Sequence, residues 1–125
     1  MRIIGSVKED LKIEKRISIT PETVKKFTNL GFSINLEKDY ADHLGFQDKE
    51  YQNYGAEINV SSKSVFERSD IILKVNFISL DEINLIKNNS ILIGQFDNNL
   101  NKEIFDKLNQ KNIKVFSLDL LPRIT

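Results

Sequence analysis

The chain is predicted to fold as a Rossmann-like (flavodoxin-like) α/β domain, a doubly wound parallel sheet in a three-layer sandwich. Three observations carry this. Short β-branched runs alternate with helical stretches from one end to the other. Gly, Asn and Ser residues punctuate the junctions. The run Ile71-Ile72-Leu73-Lys74-Val75 is apolar but for one charge, as suits a central parallel strand covered by helices on both faces. A length of 125 residues accommodates one such domain, large enough to hold a real core.

The elements follow in order. Residues 2–4 open as a short strand. Thr20-Pro21-Glu22 starts a helix, with Thr as N-cap, Pro at the first helical position and an acid in the first turn. Val24, Phe27 and Leu30 give this helix an apolar stripe, and Gly31 is placed to end it in the left-handed conformation. A strand over 32–37 comes next. Residues 47–54 read as a helix closed by Gly55, 57–60 as a strand, 62–68 as a brief helix and 71–75 as the apolar strand. A helix over 80–86, a strand over 90–94, a helix over 102–111 and a strand over 114–117 complete the alternation. Right-handed crossovers then set the ligand edge of the sheet at the C-terminal ends of its strands.

Composition narrows the chemistry. Lys and Arg total 18, as do Asp and Glu, so no global field gathers polyanions or an anionic membrane, and nucleic acid is not an expected partner. With no cysteine and a single histidine, His43, the chain offers neither thiolate nor His-cluster metal sites, and no metal is expected. No apolar run approaches the roughly 18 residues of a membrane span, and residues 1–8 lack a signal-peptide core; a soluble, unexported chain is expected. Among five glycines there is no G-x-G-x-x-G, no Walker A sequence and no Gly-flanked serine elbow. The fold class alone therefore assigns neither a nucleotide site nor a nucleophile.

Lys74 is the foremost candidate for function. A Lys inside an apolar strand must snorkel to solvent, pair with an acid, or face a cleft where an anion meets it; the bland reading is a strand-end Lys reaching water. Arg16, in the polar stretch Glu14-Lys15-Arg16 between the first strand and first helix, lies where strand-end loops converge, although composition alone leaves it a surface residue. His43 reads as a solvated loop residue. Asp97-Asn98-Asn99 reads as turn chemistry, and Arg123 as part of a frayed tail.

Several ordered blocks add a resemblance. They are Arg2-Ile3-Ile4-Gly5 to Lys8-Glu9, Lys15-Arg16-Ile17-Ser18-Ile19-Thr20-Pro21-Glu22-Thr23-Val24, Leu30-Gly31-Phe32, Tyr54-Gly55-Ala56-Glu57-Ile58, Ser69-Asp70-Ile71-Ile72-Leu73-Lys74-Val75 and Leu121-Pro122-Arg123-Ile124-Thr125. Together they resemble the start of the alanine dehydrogenase and proton-translocating NAD(P) transhydrogenase alpha-subunit family, across essentially the whole chain. Alanine dehydrogenases use a substrate-polarising His after the fifth strand; this chain has Asp97 there. The ending resembles the transhydrogenase segment in which an Arg opens the loop over the nicotinamide of NAD(H). The resemblance therefore implies the transhydrogenase branch, with Arg123, Ile124 and Thr125 as cofactor-binding positions and no catalytic side chain.

Arg16 and Lys74 match positions that grip the substrate carboxylate in alanine dehydrogenase, which makes them expected anion contacts in the cleft. The resemblance also implies a glycine-rich NAD-binding Rossmann domain following this one and absent from the 125 residues. The abrupt ending after a strand is what a piece of a longer chain would show. NAD(H) is then the cofactor of the intact parent and NADP(H) belongs to a partner component. The remaining transhydrogenase domains or subunits are the implied partners, with a homodimer of the intact component. A cytoplasmic location peripheral to the inner membrane, reached only through partner domains, follows from the same likeness. A truncated alanine dehydrogenase-like enzyme and a non-catalytic interaction module are the alternatives. One departure is that the family's glycine-rich stretch after the second strand reads Glu37-Lys38-Asp39-Tyr40-Ala41-Asp42-His43 here, so a differently shaped loop is expected.

Overall fold

The computed structural model describes residues 2–12, 14–76, 78–95 and 102–117. Along the chain run β1 (Ile3–Ser6), α1 (Pro21–Asn29), β2 (Ser33–Glu37), a 3₁₀ turn (Asp42–Leu44), α2 (Asp48–Asn53) and β3 (Glu57–Asn59). The second half comprises α3 (Ser62–Arg68), β4 (Ile71–Leu73), α4 (Leu80–Leu85), β5 (Ile91–Gly94), α5 (Lys102–Gln110) and β6 (Lys114–Ser117). All described strand pairs are parallel, in the order β3-β2-β1-β4-β5-β6. This is the Rossmann order; the flavodoxin order, with the third strand inside the sheet, is not the one adopted.

Alternation along each strand feeds two cores. Ile4, Ile34 and Leu36 pack with Val24 of α1 and Tyr51 of α2 on one face. Ile72 and Leu92 pack with Val65 and Phe66 of α3, Ile83 of α4, and Ile104 and Leu108 of α5 on the other. The three-layer sandwich follows. Helices α1 and α2 serve the β1–β2–β3 half, so towards β6 their face of the sheet is barer: Ile91 and Ile93 are half-buried and Phe116 is 56% exposed.

Local chemistry sets the element ends. Thr20 Oγ1 accepts the Thr23 N–H at 3.2 Å, with Pro21 opening α1 as its sequence predicts. At the other end Gly31 has φ +96°, the Phe32 N–H reaches the Phe27 carbonyl at 3.1 Å, and the two Phe rings meet edge to face. That terminal motif corrects the expected stripe. Leu30 is the cap residue and 73% exposed, and Phe32 takes the apolar place beside Phe27. Gly5 on β1 lies under α3, where a Cβ would clash with Ser69 Oγ and come within 2.9 Å of Val65 Cγ1. At the altered loop, Asp39 adopts φ +61° and its N–H is held by the Asp48 carboxylate. Lys111 Nζ donates to the carbonyls of Ile83 and Asn84 at the end of α4, at 2.8 and 2.9 Å.

Candidate functional site

β1 and β4 are neighbours, but the chain leaves them towards opposite faces, to α1 and to α4. Their connections therefore part at the C-terminal edge and leave a crevice. The β1–α1 loop forms one wall and the β4–α4 turn the other, with the end of β5 as the third side. A groove of about 380 Å³ lies there, lined by Arg16, Ser18, Lys74 and Gln95 over the apolar side chains of Leu73 and Ile93. Beside it is a polar hollow of about 260 Å³ containing Glu9, Asn76 and Glu82. Lys74 borders both.

Arg16 enters the groove already paired. Its Nε and Nη2 donate to the two oxygens of Glu14 at 2.8 and 2.9 Å, and Nη2 also reaches Gln95 Oε1 at 3.1 Å. The Arg16 backbone N–H adds a further bond to the same carboxylate. Arg16 is largely exposed whereas Glu14 is buried, and the guanidinium bonds hold the Glu14 carboxyl down to about 2. Asn76 Nδ2 donates to Glu14 across the groove at 3.4 Å.

Lys74 stands one residue beyond β4, not within the strand as its sequence suggests. Its N–H still donates to the Ile93 carbonyl of β5 at 3.0 Å, while on the other side the Glu9 carboxylate accepts the Val75 and Asn76 N–H groups at 3.1 and 3.2 Å. Nor does Lys74 reach solvent. It is 5% exposed, and Nζ meets Glu82 Oε2 at 3.5 Å. The other oxygen of Glu82 accepts the Ser79 N–H in a capping box at the start of α4. Glu9 is itself 6% exposed, and burial raises its carboxyl above the ordinary range against the opposing pull of Lys74.

Two tyrosines hold the Arg16-bearing loop in place. Tyr40 Oη accepts the N–H groups of Ser18 and Ile19, while Tyr51 Oη donates to the Ile19 carbonyl at 2.8 Å. Tyr40 also shares a 2.8 Å bond with Ser6 Oγ, which donates to the Leu73 carbonyl at the groove floor. His43 is exposed, as expected, but its Nε2–H donates to the Lys15 carbonyl at 2.7 Å and ties the same loop down.

Of the residues singled out from sequence, the structure brings Arg16 and Lys74 into one groove. Asp97, Arg123, Ile124 and Thr125 lie outside the described residues. Sequence reasoning assigned no role to Glu9, Glu14, Tyr40 or Glu82. Glu14 had a signal, since residues two apart in an extended segment face the same side as Arg16. The partners of Glu9 and Tyr40 are remote in sequence and leave none. Chemically, the groove sets two cations, each paired with a carboxylate (Arg16 with Glu14, Lys74 with Glu82), above an apolar floor. Among the described residues no group of three His, Cys, Asp or Glu is placed to hold a metal.

Known proteins of similar sequence and shape bear on the same site. Residues 5–125 match the family model "Alanine dehydrogenase/PNT, N-terminal domain". An NAD(P) transhydrogenase subunit alpha polypeptide of Rickettsia prowazekii is 33% identical over 100% of this chain and 33% of its own length. Alanine dehydrogenase 1 of Staphylococcus aureus is 30% identical over 92% of this chain and 30% of its own. The crystal structure of transhydrogenase from Sinorhizobium meliloti superposes with a TM-score of 0.88 at 29% identity, covering 99% of this chain and 37% of that one. The chain thus spans about a third of the length of these relatives.

Proposed function

The chain belongs to the alanine dehydrogenase/PNT N-terminal domain family, and from that premise we propose that it is the N-terminal part of the NAD(H)-binding component of an NAD(P) transhydrogenase. One observation carries the choice of branch. The likeness to the Rickettsia transhydrogenase subunit runs the full chain, whereas that to alanine dehydrogenase leaves part of it uncovered. The parent would transfer hydride from NADH to NADP+, coupled to proton movement through separate membrane domains. Its partners would be those domains and a second copy of the same component, at the cytoplasmic face of the inner membrane. Among the described residues no helix is long and apolar enough to cross a membrane.

When bound in the intact component, NADH would supply the hydride, and NADP+ on the partner component would accept it. The groove fits the role of a wall. It offers an apolar floor and two cations, and a dinucleotide cradle would come from the proposed Rossmann domain of the parent. Such transfer needs no protein nucleophile, only nicotinamides held in register with water excluded. Arg16 and Lys74 would set the electrostatics of the cleft rim, and Arg123, Ile124 and Thr125 would contact the nicotinamide side. Alone, the 125 residues would be inactive.

A second reading has a specific observation in its favour. Two cations sharing one groove suit the carboxylate of a 2-oxo acid, as an alanine dehydrogenase-like enzyme requires. A chimaera in which residues 1–125 replace the matching segment of the Rickettsia subunit, assembled with its partner subunits, separates the two. The expected outcome is NADH-dependent reduction of an NADP+ analogue without alanine formation; amination of pyruvate would overturn the proposal.

A further inference from the structure

The polar hollow beside the groove is lined by a carboxylate, Glu9, that the functional reading does not use. Glu9 is buried, and it bridges two separate loops: it belongs to the β1–α1 loop but binds the first two N–H groups after Lys74 in the β4–α4 turn. Each oxygen takes one N–H, an arrangement that is strongest for the ionised group. A proton on either oxygen makes it a donor and a much poorer acceptor, and so weakens the hydrogen bond from one of the two amides. The charge of Glu9 also acts on Lys74, whose other anionic neighbour is Glu82 at the long distance of 3.5 Å.

We propose that Glu9 is a proton-sensitive latch of the groove. Ionised, it fixes the Val75–Asn76 turn and shares the positive charge of Lys74. Protonated, it slackens the turn and leaves that charge to whatever anion occupies the groove. The proton goes from solvent to a Glu9 carboxylate oxygen, through the polar hollow of about 260 Å³ that Glu9 lines.

The surroundings favour Glu9 as the titrating member. Glu14 is held by Arg16 and carries its charge well below the ordinary range. Glu82 is committed to the Ser79 cap and to Lys74. Asp10 accepts the Lys12 N–H at the exposed side of the hollow, and Lys8 lies at its rim. Tyr40, below, remains neutral through the range, its phenol pushed up by burial. For Glu9, burial outweighs the opposing effects of Lys74 and of the two backbone donors, while Glu14 adds to it. The latch does not depend on whether the groove carries an anion, so its failure and that of the functional reading are separable.

The test is nuclear magnetic resonance on the chain itself between about pH 3 and pH 8, without added ligand. The Val75 and Asn76 amide protons, the Glu9 carboxyl carbon and the Lys74 Cε are expected to shift with one shared midpoint above that of a free glutamate. In Glu9→Gln the amide and Lys74 transitions should vanish, because the amide isostere keeps the volume and cannot ionise. Flat Val75 and Asn76 amides in the native chain, or a transition unchanged in Glu9→Gln, would overturn the proposal. Should Glu9→Gln not fold, the native Glu9 carboxyl curve decides alone: a midpoint at or below that of a free glutamate defeats it.

Discussion

Glu14 and Glu9, five residues apart, are linked to pH with opposite sign. Glu14 is held at about 2 in the fold against an ordinary 4.5, so its stabilising contribution is complete above 4.5 and is lost as pH falls towards 2. The Glu9 carboxyl is raised in the fold, so its contribution is present below the unfolded value and disappears as pH rises through the folded one. Replacing Arg16 by Met should therefore raise the Glu14 carboxyl towards the ordinary range and flatten the acid limb of thermal stability below 4.5, read by melts at stepped pH. Tyr40 holds the Arg16-bearing loop through its oxygen. Tyr40→Phe strands the N–H groups of Ser18 and Ile19 and is expected to cost about 1–3 kcal/mol in urea unfolding, with faster exchange at those two amides.

At the scale of elements, the close approach of β1 to α3 depends on a missing side chain. Gly5→Ala should destabilise the chain by about 1–3 kcal/mol, because the Cβ would have to displace Ser69 and Val65 together; chemical denaturation measures this. Elements whose signals lie within a few residues were legible in advance. Thr20, Pro21 and Gly31 bound α1, and Ser62–Arg68 and Lys114–Ser117 hold their expected limits. Where a distant side chain competes for backbone donors, local pattern fails. Beyond the end of β4 at Leu73, Glu9 takes the Val75 and Asn76 amides, and nothing near Val75 in sequence announces it. The site divides likewise. Lys74 stood out as a charge in an apolar run and Arg16 by its strand-end loop and the family resemblance, whereas Glu9, Glu82 and Tyr40 acquire meaning only once three loops converge.

At the largest scale, the half-clad sheet and open groove among the described residues agree with the proposal that this chain is one lobe of a larger protein. Isothermal calorimetry on the 125 residues is expected to show no NAD(H) binding below about 1 mM; a micromolar Kd would indicate a complete pocket and count against that view. The strand order places the crevice where neighbouring connections diverge, so the hollow is a property of topology and not of the side chains around it. Exchanging its polar side chains, Arg16, Lys74 and Gln95, removes no residue of either core. A lineage could then retire one ligand and adopt another by altering two loops, with no need to reinvent the scaffold beneath them.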